Sequence, residues 1–206
     1  MPTDQHHARG RSSQGAPAQG RRRADAERNI EVIVDAALIA FCRNPDVSMT
    51  DLARAAGVGR VTLYGHFPSR EELLDAVMAR AIEDAQVALD GVATAGLPAR
   101  EALAALIRQA WQVLDRYRRL HTTALRILGP DRMREHHEIP LLEVRAVIER
   151  GRRDGTIRTD LPADWLVTTV YSLLHAAAVE VDAGRLTSQS APDALEATLR
   201  SALSPP

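Results

Sequence analysis

Between residues 48 and 72 the chain reads SMTDLARAAGVGRVTLYGHFPSREE, and its polar side chains suit contact with a polyanion. Arg60 stands at the exposed start of a short helical stretch, where a planar fork of N–H donors can reach a base edge, guanine above all. Thr62, Tyr64 and His66 follow with hydroxyl and imidazole groups suited to phosphate. Arg70 opens the next helix, where its charge and the free backbone N–H groups together could hold a phosphate. Ser48, Thr50, Gly59 and Val61 complete the candidate contact set. Upstream, Arg21, Arg22 and Arg23 close the N-terminal tail; Arg22 and Arg23 could serve as a minor-groove or phosphate-contacting arm, the alternative being a solvated charge run. The chemistry implied is recognition of double-stranded DNA.

These side chains need a scaffold, and the local signals describe one. Ile30, Ile33, Val34, Ala37, Leu38 and Phe41 recur at helical spacing, so an amphipathic helix is expected from about Ala24 to Asn44-Pro45. Ser48 with Asp51 reads as a capping box for a second helix, whose inner face is Leu52, Ala53 and Ala56. Gly57 is the expected stop, because a left-handed backbone costs glycine little. A third helix runs from Arg60 to about His66, anchored inward by Val61 or Leu63 and by Tyr64. Ser69 with Glu72 caps a fourth, carried by Leu73, Leu74, Val77, Met78, Ala81 and Ile82 to about Leu89. Two short helices joined by a glycine turn are the layout of a helix-turn-helix, whose second helix enters the major groove.

Beyond the break at Gly91–Pro98 the chain reads as further helices, over about 99–119, 122–128, 131–153, 162–183 and 192–203, the last capped by Ser190 with Asp193. Trp111, Tyr117, His121, Leu125, Met133, Leu141, Tyr171 and His175 combine apolar bulk with a few polar tips, a mixture that suits a small-molecule cavity between helices. Residues 171–179, YSLLHAAAV, offer small side chains at helical spacing and, with the 192–203 helix, are the expected dimer surface. Residues 1–23, rich in Gly, Ser, Gln, Pro and Arg, are expected to lack regular structure.

Composition bounds the rest. Alanine and leucine supply most of the 45% hydrophobic content and aromatics only 3%, which favours an all-α fold over a β sandwich. The net charge of −1 does not exclude DNA binding, which needs a basic face and not a basic whole. All 26 basic residues are arginine. A single cysteine, Cys42, and the lack of a signal-peptide or membrane-length apolar run suit a cytoplasmic protein. No nucleophile elbow, zinc-protease motif or phosphate loop is present, and Gly57-Val58-Gly59 has Thr62 where a dinucleotide fingerprint needs its third glycine. His136 and His137 point in different directions on a helix and have no His-x3-His spacing, so no metal and no cofactor is expected. An enzymatic role therefore has no support.

The segments TDLARAAGV, TLYGHF and PSREEL within residues 49–72 resemble the DNA-binding head of the TetR (tetracycline-repressor-like) family. That resemblance covers about fifty residues. It implies about nine helices: three in the head, a connecting fourth, and a ligand-binding and dimerisation bundle. The corresponding division is a tail over 1–23, a DNA-binding domain over 24–70, and a connecting helix plus body over 71–206. It further implies a homodimer on a near-palindromic operator and repression relieved by a small-molecule effector. The family often has serine where Gly59 stands, a larger residue where Gly65 stands, and lysine where Arg70 stands. The competing reading is a helical ligand-binding or protein-interaction module with a vestigial helix-turn-helix.

Overall fold

The computed structural model describes residues 16–206, with side chains from Asp25 onward. Eight helices follow one another with no strand among the described residues: α1 (Ala16–Arg43), α2 (Met49–Ala55), α3 (Arg60–His66), α4 (Arg70–Asp90), α5 (Ala99–His136), α6 (Glu138–Arg153), α7 (Ala163–Asp182) and α8 (Ala191–Leu203). The expected all-α class holds, but the count is eight and not nine. The difference lies in α5, which joins three stretches expected to be separate. No break falls near residue 120. At Gly129, φ 83° and ψ 167° interrupt the helical geometry, and Pro130 restarts it, so α5 is a long rod with an offset last segment.

Helix α1 begins at Ala16, inside the stretch expected to lack regular structure; residues 1–15 lie outside the described residues. Alanine and arginine dominate residues 21–24 and are good helix formers, which lets the amphipathic helix extend backwards. The inner face of α1 is Ile33, Val34, Ala37, Leu38 and Phe41, whereas Ile30 is exposed. The helix stops at Arg43, before Pro45.

The capping boxes form as expected at two of three places. Ser48 Oγ accepts from the Asp51 N–H at 3.1 Å, and Ser69 Oγ accepts from the Glu72 N–H at 3.1 Å. Ser190 does not cap α8. Its hydroxyl is drawn instead into a tight turn with Thr187, donating to the Thr187 carbonyl at 3.2 Å.

Two apolar cores result. The first joins α1–α3 with the first half of α4: Phe41, Leu52, Leu63, Phe67, Leu73, Leu74 and Val77 are buried together. It also takes in Leu120, Ala124 and Met133 of α5. The second fills the body, with Leu103, Leu106, Trp111, Ile148, Leu166, Val170, Leu195 and Leu199 at its centre. Helix α5 thus belongs to both cores, and the head is packed onto the body along α4 and α5. Among the described residues no helix is long and apolar enough to cross a membrane.

Candidate nucleic-acid interface and body cavity

The turn between α2 and α3 is built by the backbone. Gly57 adopts φ 67°, its N–H donates to the Arg54 carbonyl at 3.1 Å, and the Val58 N–H donates to the Ala53 carbonyl at 3.0 Å. This pair of reverse bonds is the Schellman end of α2. It places Gly59 as the N-cap of α3, with no side chain to cap it.

Helix α3 has one inward residue, Leu63, which is 0% exposed and sits in the head core. Of the alternatives Val61 or Leu63, Leu63 is the anchor and Val61 is 89% exposed; Tyr64, also expected to turn inward, is 42% exposed. The reason is angular. At 100° per residue, positions 60, 61, 64 and 65 fall within an arc of about 140°, and positions 62, 66 and 63 share the opposite side. Arg60, Val61, Tyr64 and Gly65 are all exposed on that arc, while Thr62 and His66 are half-buried on the opposite side beside Leu63. Arg60 has no partner among the described residues, so its guanidinium is free to bond outward. A Cβ at Gly65 would meet nothing within 4 Å, so the protein's own packing does not require glycine there.

Other candidates are differently occupied. The Ser48 hydroxyl donates to Asp51 Oδ2 at 2.6 Å, and Asp51 also pairs with Arg54 at 2.5 Å, so this corner is a closed network. Thr50 is half-buried at the start of α2. Arg70 departs from its expected role. Its guanidinium donates to the Val47 carbonyl and, at 2.6 Å, to the Pro45 carbonyl, and lies 4.9 Å from the Phe41 ring centre. It clamps the α1–α2 loop and is not presented to phosphate. Carbonyls 23 and 25 residues away gave no local signal for this. Arg22 and Arg23 fall on α1, and their side chains lie outside the described residues.

The body contains a cavity between α4, α5, α6 and α7, with about 100 Å³ of room for water-sized centres. A single water needs roughly 10–15 Å³ on that measure, so the space suits several waters or one small organic molecule. Of the eight expected wall residues, Tyr117, His121, Leu141, Tyr171 and His175 line it. Trp111, Leu125 and Met133 do not. Trp111 is buried in the body core, with its indole N–H donating to the Ser188 carbonyl at 3.1 Å. Leu125 is 37% exposed, and Met133 belongs to the head core. Residue type alone could not say which side of α5 each would take.

His137 was missed as a wall residue. It lies against His175 and Tyr171, with ring centres 4.9 and 5.2 Å apart. Its neighbour His136 points the other way, to Asp75 on α4 at 2.7 Å, and Arg132 grips the same carboxylate through two bonds of 2.7 Å. Hydrogen bonding to Arg132 holds the Asp75 carboxyl below its usual range, with His136 adding to the effect. Tyr117 also reaches α4, donating from its hydroxyl to Asp84 Oδ2 at 2.7 Å. Burial drives the cavity histidines toward their neutral forms: His121 is pushed down to about 4, and His137 and His175 are also lowered. Among the described residues no group of three or more histidine, cysteine, aspartate or glutamate side chains is arranged to hold a metal ion.

An exposed face of Arg60, Val61, Tyr64 and Gly65 on a helix-turn-helix, joined through shared helices to a hollow helical body, is the arrangement of a DNA-binding regulator. Residues 33–77 match the family model described as bacterial regulatory proteins, tetR family. The chain is 29% identical over 161 residues to the HTH-type transcriptional repressor LfrR of Mycolicibacterium smegmatis, covering 73% of this chain and 77% of that one. It is 34% identical over 86 residues to the HTH-type transcriptional regulator EthR of Mycobacterium tuberculosis, about 40% of either chain. The crystal structure of LfrR from Mycobacterium smegmatis in complex with proflavine superposes with a TM-score of 0.64 at 22% identity, covering 86% of this chain and 97% of that one. Residues 33–77 thus match the DNA-binding segment of the tetR family, the chain as a whole is similar to regulators that carry it, and it is a DNA-binding transcriptional regulator.

Proposed function

We propose that the protein is a cytoplasmic, one-component repressor: a homodimer that holds a near-palindromic operator and releases it when a small molecule fills the body cavity. The observation that carries this reading is the double role of α4. Its Leu73, Leu74 and Val77 belong to the head core, while Ile82, Ala85 and Leu89 line the cavity, and Met78 and Ala81 serve both. A ligand that prefers a wider cavity must displace α4, and the head moves with it. Asp75, held by Arg132 and His136, ties the same helix to the segment that carries His137 into the cavity wall. The ligand then shifts the population away from the DNA-competent state by its differential affinity for the two states. LfrR, solved with proflavine, is a similar fold that accepts a small molecule.

At the DNA, Arg60 reads a base edge, Val61 meets a thymine methyl, and Thr62, Tyr64 and His66 contact backbone. Ser48 and Thr50 approach the same strand from the start of α2, and Gly59 lets the backbone come close. Arg22 and Arg23 supply an arm to the flanking duplex. In the dimer, the outward stripe Trp165, Thr169, Ser172, Ala176 and Val179 of α7 meets its counterpart, with Ala194, Ala197, Thr198 and Ser201 of α8 alongside. Within the expected dimer segment, Tyr171 and His175 face the cavity instead. Two α3 helices then sit roughly 34–36 Å apart, one turn of DNA.

The test is binding, followed by fluorescence anisotropy at near-physiological salt, of the purified protein to its own upstream region and to random duplex. A preference of about a thousandfold or more is expected, with affinity falling steeply as salt rises. Equal binding to both duplexes would refute the regulator reading.

A further inference from the structure

The histidines of the cavity wall gather at one place. The rings of His121, His137, Tyr171 and His175 each lie 4.2–6.2 Å from at least two of the others. His175 Nδ1 lies 2.8 Å from the Tyr171 carbonyl, and His137 Nδ1 lies 2.7 Å from the Met133 carbonyl. A carbonyl can only accept, so each of these Nδ1 atoms carries the proton. In a neutral ring that leaves Nε2 as a lone pair, able to accept and unable to donate. The Nε2 atoms of His121 and His175 are both fully buried and both without a partner. Buried polar atoms without partners are rare in folded proteins. Two lie in one wall beside the cavity: His175 Nε2 is an acceptor without a donor, and His121 Nε2, whose Nδ1 meets no carbonyl among the described residues, can accept or donate.

The rest of the wall limits what that donor can be. No arginine lines the cavity, so a carboxylate or phosphate would find no cation. The single charged wall residue, Glu143, already accepts from the Thr94 hydroxyl at 3.0 Å. At the imidazole end no carboxylate lines the wall, so an ammonium would be buried uncompensated there, at high cost. Apolar side chains of α4, α5 and α6 form the remaining surface, and the clustered rings favour a flat aromatic body.

We propose that the effector is a neutral aromatic molecule bearing a hydroxyl, a phenol, whose O–H is accepted by Nε2 of His175 and whose oxygen meets Nε2 of His121, while its ring lies against Leu141, Val144 and the α4 wall. The proposal rests on reading the cavity as the effector site. It names the chemical class that this site takes.

Four probes share one carbon body and differ in the head group: p-cresol, its methyl ether 4-methylanisole, p-toluate and 4-methylbenzylammonium. Calorimetric titration of the full-length protein should show p-cresol at one site per chain, about tenfold or more tighter than the ether, which has no donor to offer Nε2 of His175. The two ions should bind more weakly than p-cresol. The His175→Phe and His121→Phe variants should keep the ether's affinity and bring p-cresol down toward it. If either variant fails to fold, nitrogen NMR of the wild-type imidazoles gives an independent readout. Nε2 of His175 should appear as an unprotonated nitrogen and shift with p-cresol, and should not shift with the ether. Equal affinity of p-cresol and ether, or tighter binding of either ion, overturns the phenol assignment. If the ether binds as well as p-cresol and also releases operator DNA, the effector-site reading stands and only the ligand class falls. If none of the four binds, the effector-site reading falls with it.

Discussion

The head and the body treat unpaired polar groups in opposite ways. Helix α3 leaves the Arg60 guanidinium and the Tyr64 hydroxyl at the surface, where water satisfies them until DNA replaces it. The body places the Nε2 atoms of His121 and His175 out of reach of bulk water. An exposed donor waits at little cost, so the head can be fully formed before it meets its ligand. A buried acceptor destabilises the free body by about 1–3 kcal/mol unless something meets it. On the proposal above, the head is built to bind without changing, whereas the body takes up a ligand that meets its buried nitrogens. Helix α4 joins the two, with one half in each core.

That contrast can be broken or sharpened by experiment. The largest effect is expected from Leu63→Ala, which removes the one inward anchor of α3 and should cost about 2–5 kcal/mol. Circular dichroism melts should show it, with loss of operator binding; a wild-type melt with operator binding intact would mean that α3 does not depend on this anchor. Next is Arg60→Ala, expected to weaken specific operator binding by about 1–3 kcal/mol while leaving random-DNA affinity close to wild type. An equal loss on both duplexes would reduce Arg60 to a backbone contact.

The body should respond to acid through its buried imidazoles. His121 is 6% exposed and its conjugate acid is pushed down to about 4 by burial, with the charge of His137 adding to this and Asp182 opposing it. The unfolded chain therefore binds a proton near pH 6.5 that the folded chain refuses until about pH 4. Stability falls as pH drops through that window, and His121 alone should contribute about 2 kcal/mol of loss between pH 7 and 5. The midpoint of urea unfolding measured across that range should fall for the wild type and change less for His121→Phe. A flat profile would place a charged imidazole, or none of this burial, in the folded body. The smallest effect is Gly59→Ser. A Cβ there meets only Thr62 Oγ1, at 3.8 Å, so the new hydroxyl can cap α3 and add a few tenths of a kcal/mol, read as a small rise in melting temperature.

Most of the head was legible in the sequence because its signals are local. The Ser48 and Ser69 caps, the Gly57 turn and the heptad-like spacing of Ile33 to Phe41 each act over a few residues, and all appear in the structure. What was misread there depended on partners far along the chain. Arg70 looked like a phosphate ligand until the Pro45 and Val47 carbonyls came within reach of it. Tyr64 looked like an anchor, and Val61 stood as an alternative to Leu63, because apolar character does not say which side of a seven-residue helix faces in.

In the body, the sequence alone determined that the chain is helical, and it supplied Tyr117, His121, Tyr171 and His175 as residues able to give a cavity a polar end. Only the tertiary structure decided that these meet, that Met133 joins the head core, and that His136 and His137 serve different helices. Helix periodicity fixes a residue's angle on its own helix. The cavity is defined by where four helices stand relative to one another, and that follows from packing between residues up to about a hundred positions apart.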